Sequence, residues 1–597
     1  MGLLVLVFAV ATSCSLAGGA LVRRVATARG AVVPLRPDRW HSSPTPTMGG
    51  IAIAAATMAG FAVVGFRTDL LASASEWSAV PLAALAMFVV GVLDDRLQLS
   101  PVAKLVASLA IGAFLVFALA GVGPEGALPS VYTLVATVWF AGICHALNLL
   151  DNMDGLAAGI GLIAAVFLAA LLAGFLGPTL VVLLTALSGA LLGFLYWNRS
   201  RARLFMGDCG SLFIGALLGA ASLVPIYNAP LAFISPTVIV VLILIVPLFD
   251  TGFVLVLRRL AGRKATKGGT DHVSHRLVSL GFSERSAVRI LYLLGIAGGT
   301  TAWVLVLRRG AEPMLPLVAA FGVGIVLMGI YLARVPAYDA GDFVALQKSS
   351  FAPFLKDLAF RWHAAEVLLD LVLITVCYYL AYRLRFEDEA LDIFLPYFTS
   401  SLPVVLGCKL AALYGSGLYQ RSWSTFGLRD VAAVLRGVGF GSLLSVLTAA
   451  YLYRLVGFSR TVFVLDALLL AVAVVATRAS FKTMNLVAAT RSKRNRRVLV
   501  YGAGAFGQTL VREMRANPMW KMNPVAFIDD DPMKTKRWIM GVPVRGTLDE
   551  LERTLRTYAI DEVVLSSQSI NGSVEHRIRE VCAELNRPVR RLYMDIR

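Results

Sequence analysis

The sequence predicts a polytopic α-helical membrane protein of about fifteen transmembrane helices with a C-terminal cytoplasmic α/β domain of Rossmann-like type. Three observations predict it. Of 597 residues, 58% are hydrophobic and only 15% charged, with a mean hydropathy of +0.74, whereas ordinary soluble chains carry about 25% charged residues. Apolar runs near the ~20 residues that cross a bilayer recur along most of the chain. Past residue 490 the pattern changes to short β-branched runs alternating with amphipathic stretches. A soluble enzyme, a disordered scaffold and a disulfide-stapled secreted domain are thereby excluded.

Eleven apolar runs precede residue 340, at 3–21, 49–66, 80–93, 105–122, 131–150, 156–176, 179–197, 212–227, 237–257, 290–307 and 315–333. They make residues 1–335 one eleven-span domain. The first run lacks the basic n-region of a signal peptide, so it reads as a transmembrane helix with its N-terminus outside. A polar stretch, 336–362, reads as a cytoplasmic linker. Four more spans follow at 364–382, 402–414, 431–452 and 461–476, giving a four-span domain over 363–490, and the basic run 491–497 leaves the membrane before the final domain, 491–597. The six cysteines form no CxxC pair, which argues against a zinc site or a disulfide framework.

The net charge of +18 invites a nucleic-acid reading. Its distribution argues otherwise. With the N-terminus outside, the inner loops of the first domain hold eighteen Lys and Arg, against Arg67, Arg308 and Arg309 outside. Such a bias orients membrane proteins, so the excess marks sidedness, and no nucleic-acid partner is expected.

Under that orientation the informative polar residues gather at the inner ends of spans: Asp94 and Asp95 in GVLDDR, Asn148, Asp151, Asn152 and Asp154 in NLLDNMDGLAAG, Asp208 in FMGDCGS, and Asp271, His272, His275 and Arg276 in the long fourth loop. Asp250 lies mid-span. One aspartate at a helix end can snorkel to the interface. Several on one face repel unless a cation joins them, and ionisable groups at membrane depth mark function. Carboxylates without thiolates suit Mg²⁺, completed by substrate phosphates, and the basic, imidazole-bearing loop beside them suits a diphosphate. This is the electrostatic outline of phosphoryl transfer.

Four stretches, PTPTMGG at 44–50, GVLDDR with Lys104 downstream, NLLDNMDGLAAG, and Asn198 leading to FMGDCGS, run in this order over the first ~335 residues. In them the chain resembles the polyprenyl-phosphate N-acetylhexosamine-1-phosphate transferases, the superfamily of phospho-MurNAc-pentapeptide translocase. The resemblance implies transfer of a sugar-1-phosphate from a UDP-sugar, UDP-GlcNAc foremost, to polyprenyl phosphate with release of UMP. It implies Mg²⁺, with Mn²⁺ as a substitute, a homodimer, and a bacterial cytoplasmic membrane with the site on the inner face. Carried over by position, Asp208 is the metal ligand. Asp94, Asp95 and Asp151 are catalytic, and Lys104, Asn148, Asp154, Asn198, His272, His275 and Arg276 bind substrate. Three departures stand out: His145 where the family often has Asn, Asn152 where many members have Gly, and DHVSHRL in place of three consecutive histidines. The last points away from the MurNAc-pentapeptide branch, although TPTMGG leans towards it.

In the final domain RRVLVYGAGAFG gives a strand, then Gly502, Gly504 and Gly507 opening a helix, with the strand PVAFIDDD placing Asp529 near a ribose-binding position. The turn suits a phosphate, so NAD or another nucleotide is one expectation. A fold kept only for packing or dimerisation is the other. The four spans and this domain resemble the N-terminal half of membrane nucleotide-sugar dehydratases and polyprenyl-phosphate hexose-1-phosphate transferases, without either family's catalytic domain, so the half reads as regulatory. Two rival readings remain: an inactive scaffold or transporter for lipid-linked sugars, against which the intact acidic motifs argue, and an NAD-dependent oxidoreductase, against which the missing catalytic residues argue.

Overall fold

A computed structural model describes residues 2–30, 32–33, 45–63, 78–120, 130–173, 178–228, 235–260, 271–307, 315–333, 352–386, 388–420, 426–454, 457–491, 496–516, 520, 522–535, 537–566 and 572–591. Pro44, most of the linker, the loop 261–270 and the basic residues 492–495 lie outside the described residues. The chain forms two compact units: 1–279 with 283–419 and 436–473, and 280–282 with 420–435 and 474–597.

In its described part each of the fifteen apolar runs is helical, and all but the ninth fall on a single helix. The first unit begins with α1 (Gly2–Ala28), α2 (Gly50–Ala62), α3 (Ala79–Leu97), α4 (Pro101–Ala120), α5 (Ser130–Leu150), α6 (Leu156–Leu172), α7 (Pro178–Asn198) and α8 (Asp208–Asn228). Among the described residues ten helices are long and apolar enough to cross a membrane, or eleven with one bent pair, and three apolar helices are shorter. The helix α3 also carries Asp94, Asp95 and Arg96 in its last turn, which the amphipathic end of a span permits. α8 is the hub: 94% of its span is buried, against 22% for α1, and it packs on α3 and α5 while α1 packs on α2 and α7. Lipid tails provide no hydrophobic drive between helices, so close packing carries this association.

The ninth run is not one straight span. It is α9 (Ser235–Ile243) and α10 (Ile245–Leu260), bent by 80° at the break. Pro247 explains the position, because it lacks the N–H that would bond Ile243 and its ring crowds that carbonyl. Next come the short α11 (Val273–Ser279), then α12 (Glu284–Leu307) and α13 (Leu315–Ala333). After the undescribed part of the linker, α14 (Ala352–Arg385) already starts inside the stretch expected to be linker, so its span has a helical extension. It is followed by α15 (Asp388–Gly415), α16 (Leu428–Tyr453) and α17 (Arg460–Arg491). Within the membrane Lys409 pairs with Asp466, both fully buried. The Tyr419 hydroxyl donates to Asp370 at 2.8 Å, and the Tyr378 and Ser401 hydroxyls bond at 2.8 Å.

In the second unit β1 (Arg496–Tyr501), β2 (Met522–Ile528), β3 (Glu562–Leu565) and β4 (Val589–Arg591) form an all-parallel sheet of order β2-β1-β3-β4. Helices α18 (Ala505–Ala516), α19 (Leu551–Thr557) and α20 (Gly572–Glu584) accompany it. Val498, Leu499 and Val500 are buried on both faces of the central strand, as parallel sheets require. Outside that sheet Val542–Pro543 pairs antiparallel with Trp538–Ile539 in a two-residue ribbon.

Candidate active site

The acidic motifs converge on one lysine. Lys104, in the first turn of α4, places Nζ 2.6 Å from Asp94 Oδ2 and 3.2 Å from Asp208 Oδ2. Asp94 ends α3 and Asp208 begins α8, so a single cation joins carboxylates more than a hundred residues apart in sequence. Asp94 is fixed further because its Oδ1 accepts the Leu99 N–H at 2.8 Å. Asp208 keeps a third of its side chain exposed, against 6% for Asp94. It is the more accessible of the two carboxylates.

Asp95 does different work. Its Oδ1 accepts the Asp208 N–H at 2.9 Å and its Oδ2 the Cys209 N–H at 3.1 Å. A carboxylate on the free amides of a helix N-terminus caps it and complements its dipole. Asp95 therefore aims Asp208. Gly207, at φ 74°, makes the approach possible, since a Cβ there would lie 2.8 Å from Asp95 Oδ2. The TPTMGG segment is clasped to the same loop: Phe205 N–H donates to Pro46 O, Gly49 N–H to Phe205 O and Gly50 N–H to Met206 O, each at 2.8 Å. First and last motifs thus meet edge to edge.

The third motif adds a second wall. On α5, Asn148 Nδ2 donates to Ser211 Oγ of α8 at 2.9 Å, and His145 Nε2 lies 3.0 Å from Ser108 Oγ of α4. Asp151 follows, half-buried in the turn after α5. Asp154 and Asn198, expected to bind substrate, are engaged with backbone. Asp154 Oδ2 accepts the Ala202 N–H at 2.9 Å. The buried Asn198 accepts the Gly155 N–H and donates to Leu204 O, both at 3.0 Å. They fasten the loop 198–204 to the NLLDNMDG turn.

The fourth-loop helix α11 is held by groups whose roles the motifs did not show. Asp250 accepts the Val273 N–H at 2.8 Å through Oδ1 and lies 2.7 Å from His272 Nδ1 through Oδ2. Ser274 Oγ donates to Asn152 Oδ1 at 2.7 Å, which gives the departure at Asn152 a purpose: it ties α11 to the third motif. Burial, with His272 beside it, pushes His275 down to about 4, so its imidazole is neutral. Arg276 was expected at the diphosphate. It is buried, and its NH1 donates instead to Leu332 O at 3.0 Å and Ala333 O at 3.4 Å, capping the C-terminus of α13.

The donor set fits magnesium. Among the described residues no three His, Cys, Asp or Glu side chains form a metal cage. Mg²⁺ asks for less, one or two carboxylates plus water and substrate phosphates; the accessible Asp208 supplies one, whereas both oxygens of the buried Asp94 are taken by the Leu99 N–H and Lys104. The glycine turn of the second unit fits a nucleotide less well. Gly502 takes φ 97°, and a Cβ on Gly507 would overlap the Gly502 carbonyl, as a tight phosphate-type turn demands. The space beside Gly504 is open. Yet Asp529 accepts the Ala503 N–H at 2.6 Å through Oδ2, the Asp531 N–H at 3.0 Å through Oδ1, and Lys534 Nζ on both oxygens at 3.2 and 3.1 Å. Its carboxylate is occupied where a ribose hydroxyl would need it.

Comparison with known proteins decides the family. A profile described as glycosyl transferase family 4 matches residues 77–226, which hold α3 to α7, nearly all of α8, and Asp94, Asp95, Asp151, Asp154 and Asp208. A probable undecaprenyl-phosphate N-acetylglucosaminyl 1-phosphate transferase of Bacillus subtilis is 32% identical over 346 residues, covering 56% of this chain and 90% of that protein. This chain belongs to the polyprenyl-phosphate N-acetylhexosamine-1-phosphate transferase family. A decaprenyl-phosphate N-acetylglucosaminephosphotransferase of Mycolicibacterium smegmatis is 34% identical, over 54% of this chain and 85% of its own length. A phospho-N-acetylmuramoyl-pentapeptide-transferase of Synechococcus is 40% identical over a shorter stretch, 30% of this chain and 55% of that protein. The second half resembles a different family: a profile described as a CoA-binding domain matches residues 415–593.

Proposed function

We propose that this membrane transferase moves N-acetylglucosamine-1-phosphate from UDP-GlcNAc to polyprenyl phosphate on the cytoplasmic face of a bacterial membrane and releases UMP. The observation that carries the reading is Lys104 joining Asp94 to Asp208 across three helices. In the reaction the bond between the two phosphates of the donor breaks and a new P–O bond forms to the lipid phosphate, UMP leaving with the electron pair. The lipid phosphate is largely ionised at neutral pH, so catalysis rests on positioning and charge neutralisation.

Bound magnesium would be held by Asp208 and would supply neutralisation of the diphosphate. The chain's own residues do the rest. Asp95 fixes the direction of Asp208 through its backbone, Lys104 restrains the two carboxylates and offers an ammonium to a phosphate, and Asn148 and Asp151 line the donor side. Neutral His275 offers a hydrogen bond without adding charge, and Asp250 orients His272 beside it. The shares of two relatives named for N-acetylglucosamine favour that donor sugar over a MurNAc-pentapeptide. The glycine-turn domain contributes regulation rather than a second reaction.

The test is UMP release by the purified full-length protein given undecaprenyl phosphate, Mg²⁺ and a panel of UDP-sugars. UDP-GlcNAc is expected to turn over fastest, and Asp208→Asn to lower kcat by roughly 10²–10³-fold or more, the scale of losing one charge-stabilising group. Release from no UDP-sugar at all, or full turnover by Asp208→Asn, overturns the reading.

A further inference from the structure

The loop leaving α7 reads Arg-Ser-Arg-Ala-Arg over residues 199–203. Arg199, Arg201 and Arg203, with Arg285 from the first turn of α12, line one cavity of about 570 Å³ together with Tyr196 and Trp197. None of the four guanidiniums forms an ion pair with a carboxylate among the described residues. Four like charges around one cavity raise a positive potential, which Glu284 beside Arg285 and Asp154 on the Ala202 amide offset only in part.

The arrangement is built, not a spray of mobile side chains. Asn198 and Asp154 fasten the loop to the NLLDNMDG turn, as described above. The Arg203 N–H bonds Trp197 O at 2.8 Å, and Arg201 takes a left-handed φ of 65° in the turn between them. Arg285 Nε donates to Ser200 Oγ at 2.7 Å. The guanidiniums of Arg199 and Arg203 lie 5.8 and 5.6 Å from the centre of the Tyr196 ring, within cation–π range.

Its place on the span says what kind of anion. Tyr196 and Trp197 end the apolar stretch of α7, where aromatic residues mark the membrane–water boundary. Leu192, one helical turn earlier on the same face as Tyr196, is 44% exposed, and Tyr196 is 45% exposed. Leu192 and Tyr196 therefore form an exposed apolar stripe that leads to the arginine cavity. A soluble anion has no use for the stripe; an amphiphile fits both parts.

We propose that this cavity binds the phosphate-bearing head group of an anionic phospholipid, with an acyl chain along Leu192 and Tyr196. The site uses none of the residues that join the acidic motifs, and the inference stands whether or not the donor is UDP-GlcNAc.

The experiment uses the full-length protein in nanodiscs of phosphatidylcholine with and without phosphatidylglycerol. Native mass spectrometry reads which lipid remains bound on release from the disc. Wild type is expected to retain phosphatidylglycerol in preference to phosphatidylcholine. Replacing Arg199, Arg201 and Arg203 together by Gln should lower that preference by roughly five-fold per arginine. The triple Lys variant keeps the charge and controls for misfolding; it should keep most of the preference. Added inorganic phosphate should leave the lipid in place. Absence of a preference in wild type, an undiminished preference in the Gln variant, or displacement of the lipid by millimolar inorganic phosphate overturns the proposal. So does a Gln variant whose KM for UDP-GlcNAc rises equally in both discs while its lipid retention is unchanged, because the cavity would then serve the nucleotide.

Discussion

Two lysine–aspartate clusters in the first unit use the same chemistry for opposite ends. Lys104 sits between Asp94 and Asp208 at the end of the bundle, with its own side chain 19% exposed and that of Asp208 34% exposed. Lys409 and Asp466 meet deep among α15 and α17 with no exposure at all. The first cluster has one cation for two carboxylates and an open side, so its charges do not cancel and Asp208 is within reach of solvent. The second is one against one and sealed. An ion pair in a membrane marks a reaction site when its charges do not cancel and something can reach it; when they cancel in the dark, it fixes helices.

The contrast breaks if the two clusters respond alike. Asp208→Asn should cost turnover and leave thermal stability near that of the wild type, since it removes a charge from an already crowded set. Lys409→Met should do the reverse. It strands Asp466, whose Oδ1 already has no hydrogen-bond partner, and removing one member of a buried pair costs about 3–5 kcal/mol. The double variant Lys409→Met/Asp466→Leu should recover most of that loss, because a buried pair is often replaceable by apolar side chains. Thermal unfolding in detergent reads the stability, and UMP release per folded molecule should be unchanged in both variants. Loss of turnover in the folded double variant would make the buried pair part of the reaction.

Asp95 sharpens the comparison, standing beside Asp208 in the sequence motifs and in space. As a cap on the α8 N-terminus its removal should cost stability as well as rate: about 1 kcal/mol for Asp95→Ala, with Asp95→Asn intermediate because the amide keeps one acceptor. A pair of unfolding curves checks the ranking. Equal stability in all three proteins, with turnover lost, would return Asp95 to the reacting groups.

Why the sequence shows one role and hides another follows from which atoms do the bonding. The helical, many-span pattern was legible because bilayer thickness imposes it, although among the described residues ten or eleven helices, not fifteen, are long and apolar enough to cross. The meeting of TPTMGG, Asp94, Lys104 and Asp208 was legible because ordered motifs with chemistry in common need to share a site. Asp95 was expected among the catalytic groups and Asp154, Asn198 and Arg276 among the substrate-binding ones, and in the structure all four bond backbone amides or carbonyls. Such partners belong to no residue type, and only the turn geometry reveals them. Ser211 and Ser274 stood inside FMGDCGS and DHVSHRL with no role assigned, and Tyr292, whose hydroxyl donates to Gly155 O at 2.5 Å, lies in no motif. The break at α9–α10 had a signal in Pro247, although a hydropathy average passes over it.

Asp529 offers the gentlest test, in the domain where a glycine motif promised a ribose site. Burial pushes its carboxyl up, but the Ala503 and Asp531 amides and Lys534 pull harder and hold it below the usual carboxylate range. A group whose folded pKa is depressed adds stability that is present above its unfolded value, ~3.9, and is lost as pH falls through the folded one. Lys534 mirrors it: the same carboxylates raise its ammonium above the ordinary range, so its contribution is present below its unfolded value and fades only as strongly alkaline pH passes the folded one. Thermal unfolding of the full chain below pH 5, followed at the glycine-turn domain by protease sensitivity, should therefore show wild type weakening towards acid while Asp529→Asn, weaker throughout, changes less. An identical acid slope in both would mean that the carboxylate is free of the loop, and a ribose would then find it available after all.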